Sequence, residues 1–231
     1  MTNQRKNIIV TGATGNLGRV VVTHLLSEGH RVIATTFNPV KEDAGAAENL
    51  ETHQLNLADE QSTSKFVDAV VGKHKNIDAA LLLAGGYAGG TVETTGTELI
   101  RRMVTLNFET AYHIARPVFN HMKRQAEGGR IVLIGAKPAL QANDAAHNVA
   151  YGLSKSLVLR LADILNAEGA SHNVVTSVIV PSTIDTPDNR AAMPNADFAK
   201  WVRPEDIAAN IAFLLSKPAE TLREPVLKMY A

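Results

Sequence analysis

The 231-residue chain contains no cysteine. That excludes disulfides, thiol nucleophiles and thiolate metal sites, and it leaves the redox compartment open. Neither sign of charge is in excess: 23 lysines and arginines are matched by 23 aspartates and glutamates, distributed along the chain. No electrostatic footprint for nucleic acid or an anionic membrane follows from that balance. No apolar run reaches the roughly eighteen residues a membrane helix needs. The polar start Thr2-Asn3-Gln4-Arg5-Lys6 is no signal-peptide core, and a cytoplasmic protein is expected. The eight histidines are scattered without paired ligand spacing, so no metal site is expected. No linker, repeat or low-complexity stretch divides the chain, which makes residues 1–231 one expected domain. Its 45% hydrophobic content suffices for a full core.

What the chain does have is alternation. Strand-like runs at 8–11, 31–36, 52–55, 79–83, 130–134, 174–180 and 225–229 are separated by helical patterns near 17–28, 61–74, 97–124, 150–168 and 204–216. Several strands are nearly all apolar, as happens when helices cover both faces of a sheet. The pattern predicts an α/β protein: a Rossmann-like, doubly wound, parallel seven-stranded sheet with right-handed crossovers. The longest irregular stretches, 85–96 and 181–201, each follow a strand. Both therefore belong at the carboxyl edge of the sheet, where such folds bind ligands.

The first strand runs into a three-glycine turn, Thr11-Gly12-Ala13-Thr14-Gly15-Asn16-Leu17-Gly18, and a helical pattern leaves it through Val20, Val21, Leu25 and Leu26. Glycines are needed where a chain turns sharply and its backbone approaches a pyrophosphate resting on helix N-terminal amides. A tight turn without a ligand is the alternative. The strand before it and the helix after it favour a dinucleotide site at Gly12, Thr14, Gly15, Asn16, Leu17 and Gly18. Their spacing, Gly-x-x-Gly-x-x-Gly, is not the Gly-x-Gly-x-x-Gly fingerprint.

Tyr151 and Lys155 stand four residues apart and so share one helix face. An ammonium beside a phenol favours the phenolate, which predicts a Tyr151 pKa below its ordinary value near 10. Such a tyrosine exchanges protons with a substrate near neutral pH. Alone, the spacing also fits a solvated helix face.

With the glycine turn at its start and Tyr151/Lys155 two-thirds along, the chain resembles the short-chain dehydrogenase/reductase family over nearly its whole length. Ala84-Gly85-Gly86 follows the fourth strand where the family has Asn-Ala-Gly, with Leu83 in place of the asparagine. Asn107 falls where the family keeps a structural and proton-relay asparagine. Pro181 and Ile184 follow the sixth strand, and Thr186 stands where the family threonine holds the nicotinamide carboxamide. The resemblance implies Tyr151 as proton donor, Lys155 as ribose ligand and tuning charge, and Asn107 as the third catalytic residue. It also implies cofactor contacts from Ala84, Gly85, Gly86, Pro181, Ile184 and Thr186. The stretches Ala84-Gly85-Gly86-Tyr87-Ala88-Gly89-Gly90, Gly135-Ala136-Lys137-Pro138-Ala139-Leu140 and Ile184-Asp185-Thr186-Pro187-Asp188-Asn189-Arg190 are similar to the dihydropteridine reductase branch.

The family's usual catalytic serine follows the fifth strand, but here that stretch reads Gly135-Ala136-Lys137. A carbonyl reduction loses a hydrogen-bond donor to the developing oxyanion, typically ~3 kcal/mol. Either catalysis is impaired or the substrate develops no carbonyl oxyanion. The dihydropteridine reductase branch also lacks the serine, which favours the second. Tyr87 matches a tryptophan thought to lie against the pterin and offers a flat face, or else merely covers the core. Lys137 either contacts substrate or is solvated.

Cofactor choice is read at the end of the second strand, where an acid would bond the ribose hydroxyls and an arginine would favour a phosphate. Thr35-Thr36-Phe37-Asn38 carries neither, with Arg19 and Lys41 the nearest cations in sequence. That tilts Thr36 and Asn38 towards NADP, or towards tolerance of NAD as well. Asn56, after the third strand, contacts adenine or is a turn residue. The leading expectation is an NAD(P)H-dependent oxidoreductase reducing a planar conjugated small molecule such as quinonoid dihydropteridine. The alternatives are a short-chain carbonyl or alcohol dehydrogenase, and a non-catalytic NAD(P)-binding sensor. By resemblance, and through Ala-rich faces such as Ala162/Ala167, a homodimer or homotetramer is expected.

Overall fold

Runs such as Ile8-Ile9-Val10 and Val178-Ile179-Val180 are apolar on both sides, so each strand must be covered twice. The computed structural model, which describes residues 5–39 and 48–230, shows how. Strands β1 (Asn7–Thr11), β2 (Arg31–Thr36), β3 (Leu50–Gln54), β4 (Ala79–Leu82), β5 (Gly129–Ile134), β6 (Val174–Pro181) and β7 (Val226–Met229) form one sheet. All pairings are parallel, in the order β3-β2-β1-β4-β5-β6-β7. Strand order reverses between β1 and β4, and a crevice opens at the carboxyl ends there.

Side chains alternate across the sheet. Ile9, Ile33, Leu82, Ile131 and Val178 share one core with α2 (Glu60–His74), while Ile8, Val10, Val32, Leu81 and Ile179 pack with α1 (Asn16–Ser27) on the other face. On the α2 side the layer is completed by α4 (Thr110–Met122) and α6 (Val149–Gly169), and α3 (Thr97–Val104) and α5 (Ala142–Ala145) pack against α6. After the six-residue α7 (Pro187–Ala192), α8 (Pro204–Leu214) joins α1. A buried amide also ties helix to sheet: Asn166 of α6 donates to the Thr176 carbonyl (2.8 Å) and accepts from the Thr176 amide (2.7 Å).

All seven strands expected from the sequence are present, with β3 starting two residues earlier than read. Two local differences bear on function. The helix expected over 97–124 is interrupted by a π-helical turn, Thr105–Glu109, between α3 and α4. There the Thr110 amide bonds Thr105, five residues back, and the Thr110 hydroxyl takes up the Leu106 carbonyl at 2.8 Å. Such turns commonly mark functional sites, because they push one side chain off the regular helical spacing. The stretch 181–201 also carries structure of its own, α7, begun by Pro187 and capped by the Thr186 hydroxyl. Lys41 and the opening residues Thr2, Asn3 and Gln4 lie outside the described residues.

Glycine placement yields a test remote from the crevice. Gly128 has φ +66°, and a Cβ there would overlap the Asn173 carbonyl oxygen, whereas Gly72 in α2 has open space around it. Gly128→Ala should cost about 2–3 kcal/mol, lowering the thermal midpoint by roughly 5–10 °C. Gly72→Ala should hold or raise stability by about 0.5–1 kcal/mol. Equal midpoints for the two variants in thermal melts would contradict the backbone assignment.

Candidate active site

The glycine turn is built for close approach. Gly12 has φ +66°, and a Cβ there would lie 3.0 Å from the Ala84 backbone; a Cβ on Gly18 would overlap the Gly12 carbonyl oxygen. The Thr11 hydroxyl accepts from the Ala84 amide at 3.2 Å, tying the ends of β1 and β4. At the start of α1 no side chain caps the helix and no acid occupies the first turn. Its free amides and positive dipole end therefore suit an anion.

From this turn a cleft of about 590 Å³ opens. It runs from Gly12 and Gly15 past Thr36 and Phe37 to Asn56 and Ala58, and it is floored by Ala84 and Gly85. The far wall is Arg102, Thr105, Leu106 and Thr110. The buried Thr35 hydroxyl, also in the lining, has no hydrogen-bond partner. An uncapped helix start, a cradle that tolerates no side chain and an unpaired buried hydroxyl all fit a dinucleotide. Six sequence-expected cofactor residues thus share one cleft: Gly12, Gly15, Thr36, Asn56, Ala84 and Gly85. Thr14, Asn16 and Leu17 are on the turn, and Gly18 is buried beneath it. Asn38 is exposed at the rim, its carbonyl accepting from the Thr36 hydroxyl at 2.9 Å.

At the Gly85 end the cleft meets the tyrosine and lysine. The absent Cβ of Gly85 leaves room for the Asn107 Oδ1 atom, 2.6 Å from where it would stand, and for Lys155 Nζ at 3.4 Å. Asn107, in the π-helical turn, is 1% exposed. Its Oδ1 accepts from the Gly86 amide (2.9 Å), and its Nδ2 donates to the Gly86 carbonyl (3.0 Å) and the Ser154 hydroxyl (3.0 Å). Ser154 in turn donates to the Tyr151 carbonyl (2.8 Å). Lys155 Nζ donates to the Ile134 carbonyl (2.8 Å) and lies 6.0 Å from the centre of the Tyr151 ring.

Tyr87 is 66% exposed and meets the Tyr151 ring edge-on, 5.2 Å between centres at 74°. Its hydroxyl donates to Asn148 Oδ1 at 2.7 Å. The loop is stapled to the start of α6, because the Gly90 amide bonds the His147 carbonyl and the Val149 amide bonds the Gly90 carbonyl (2.9 Å each). Ala136 is buried, and Lys137 is paired with Asp144 (3.3 Å) beneath the Tyr230 ring. Across the site, Pro181 ends β6, Ile184 bridges to Val202, and Thr186 is spent on capping α7. An Asn16–Asp188 hydrogen bond (2.7 Å) joins α7 to the glycine turn. Sequence reasoning missed Arg102, Ser154 and Asn148. None carries a signal without its spatial partner.

The sequence profile described as short chain dehydrogenase matches residues 6–197. The chain belongs to that family. It is accordingly an NAD(P)-dependent oxidoreductase acting on a small molecule. Among its relatives, the dihydropteridine reductase of Dictyostelium discoideum is 28% identical over 214 residues, spanning 89% of this chain and 86% of the relative. The acetoacetyl-CoA reductase of an Acinetobacter strain is 24% identical over 232 residues, spanning 93% and 92%. Among solved structures, ElxO with NADP bound superposes with TM-score 0.89 at 22% identity, covering 98% of this chain and 97% of that one. A short-chain type dehydrogenase/reductase from Mycobacterium ulcerans gives 0.88 at 25% identity, covering 99% and 89%.

In this short-chain dehydrogenase the electrostatics of the tyrosine run against the expectation from spacing. Burial, reinforced by the neighbouring Tyr87 phenol, pushes Tyr151 up to about 12 rather than down. Lys155 faces the Ile134 carbonyl, and its distance from the ring is too great to outweigh desolvation. Tyr151 is thus a protonated phenol throughout the neutral range. Burial of Lys155, 6% exposed, pushes its pKa down to about 8.

The lysine shift is a stability statement. Unfolded Lys155 releases its proton near 10.5 and folded Lys155 near 8, so between these values the unfolded state binds more protons and rising pH favours folding. Below pH 8 the buried charge is a net cost, at most about 3 kcal/mol. Lys155→Met should therefore be more stable than wild type at pH 7 while losing function, with the gap closing between pH 8 and 10.5. Urea denaturation at pH 7 and pH 10 checks this; a variant less stable at pH 7 would contradict it.

Proposed function

We propose that this protein reduces a planar conjugated substrate of the quinonoid dihydropteridine class with NADPH. One observation carries the reading: a protonated phenol, Tyr151, stands beside an exposed aromatic, Tyr87, where the strand β5 exit offers no hydroxyl. Gly135 and Ala136 have none, and Ala136 is 4% exposed. A carbonyl substrate needs donors converging on one oxygen that gains full negative charge. A conjugated ring spreads the incoming electron pair over several atoms, so one proton donor is enough. The 28% identity to a dihydropteridine reductase supports the same reading.

Nicotinamide, when bound, supplies the hydride. Tyr151 supplies the proton to the ring nitrogen that the electron pair reaches, completing a two-electron reduction, and is reprotonated from solvent. Lys155, beside Gly85 at the end of the cleft, binds the nicotinamide ribose hydroxyls. Asn107 acts as a positioning residue, since its carboxamide is fully engaged by Gly86 and Ser154. Tyr87, held by Asn148 and by the stapled loop, presents its ring as the wall against which the substrate lies. Lys137 remains with Asp144 at the substrate side. The lining of the cofactor cleft contains no carboxylate among the described residues, which supports NADPH. Leu153, Leu157 and Ile164 on α6 are 40–52% exposed and Tyr112 on α4 is 38% exposed, an apolar face suited to pairing with a second copy.

Two substitutions test the reading. Tyr151→Phe removes only the phenolic proton, so turnover should fall at least ~100-fold while NADPH affinity stays within about twofold. Retained turnover would sink the donor assignment. Ala136→Ser should leave quinonoid dihydropterin reduction within about twofold and at most add a weak carbonyl-reducing activity. A steep rise in carbonyl turnover, of order 100-fold, with pterin turnover at background would instead identify an impaired carbonyl reductase. A protein inert on both substrate classes, with or without the serine, would indicate a dinucleotide sensor.

A further inference from the structure

The end of β2, where this fold class discriminates its cofactors, is chemically silent here. The Thr36 side chain is 3% exposed and its hydroxyl is committed to the Asn38 carbonyl. Arg19 does not line the cleft, and its Nε donates to the Thr14 carbonyl at 2.8 Å within the glycine turn. Yet the cleft wall opposite Thr36 carries a cation. Arg102 of α3 is the one ionisable side chain among the described lining residues. It is exposed, and no carboxylate stands beside it among the described lining residues. Thr105, Leu106 and Thr110 line the cleft with it, so an exposed guanidinium and an apolar stretch share this wall.

Building on the dinucleotide reading of this cleft, we propose that Arg102 is the residue that selects the 2′-phosphate of NADPH, from the helical wall rather than from β2. A guanidinium offers a planar fork of donors that matches phosphate oxygens bidentately and keeps its charge at any working pH. No carboxylate of the described lining stands in the cleft to repel a phosphate. The substitution of an exposed side chain should not disturb folding.

The test is direct binding, by calorimetry or cofactor fluorescence, of NADPH, NADH, 2′,5′-ADP and 5′-AMP to wild type, Arg102→Gln and Arg102→Lys. Thermal melts confirm that all three proteins are folded. Wild type should prefer NADPH to NADH and 2′,5′-ADP to 5′-AMP. In Arg102→Gln, affinity for the two 2′-phosphorylated ligands should drop at least tenfold, about 1.4 kcal/mol, with NADH and 5′-AMP changed less than twofold. Arg102→Lys should recover part of the loss. Equal losses for phosphorylated and unphosphorylated ligands would overturn the proposal in favour of stacking on adenine. Unchanged NADPH preference in Arg102→Gln would overturn it while leaving the dinucleotide site intact. Wild type that binds none of the four ligands would remove the dinucleotide reading itself.

Discussion

The Asn107 carboxamide holds the two halves of the site in register. Its oxygen and both its N–H groups are engaged, binding the Gly86 backbone twice and the Ser154 hydroxyl once. Through Gly86 it fixes the loop leaving β4, which floors the cofactor cleft. Through Ser154 and the Tyr151 carbonyl it fixes the turn of α6 that carries the tyrosine and lysine. At 1% exposure, any partner left unmatched would cost about 1–3 kcal/mol, so the three contacts stand or fall together. The π-helical turn turns this amide inward. Gly85 is the counterpart constraint, since any side chain there would displace Asn107 or crowd Lys155.

On the proposed reading, the Tyr151–Lys155 pair gives up stability for function. A buried ammonium with one backbone acceptor is a poor way to stabilise a fold. Its position beside Gly85 instead places a cation where the cleft meets the phenol. Burial keeps that phenol protonated, which suits a proton donor for a reduction better than it suits a base for an oxidation. The edge-on contact with Tyr87 works in the same direction.

Much of this was legible before any coordinates. Apolar runs located the five inner strands, because a sheet covered on both faces leaves no alternation to misread; the edge strands β3 and β7 carry Glu51, His53 and Lys228 and are partly exposed. The glycine turn and the Tyr151/Lys155 spacing located both ends of the site. What was hidden depends on contacts between distant positions. The sign of the Tyr151 shift follows from burial, which spacing does not report. The Tyr87–Asn148 hydrogen bond spans 61 residues. The π-helical turn at 105–109 has the same apolar pattern as a regular helix, and α7 hides behind Pro187, Asp188 and Asn189, which read as loop. Arg102 carries no signal in the sequence, because only the placement of α3 makes it part of the cleft wall. The π turn and the α7 capping both lie at the site, where local rules give way to function.

The most direct measurement is steady-state turnover of the wild-type protein with NADPH carrying deuterium at C4, on quinonoid dihydropterin and on a panel of ketones and aldehydes, with mass analysis of the products. Tyr151 and Tyr87 acting without a serine predict stoichiometric tetrahydropterin, with the deuterium passing from the cofactor to an exchangeable ring N–H and so to solvent, and a pterin kcat/KM at least ~100-fold above that for any carbonyl compound. Deuterium appearing in a product alcohol at comparable or greater rates, with pterin turnover at background, would contradict the account.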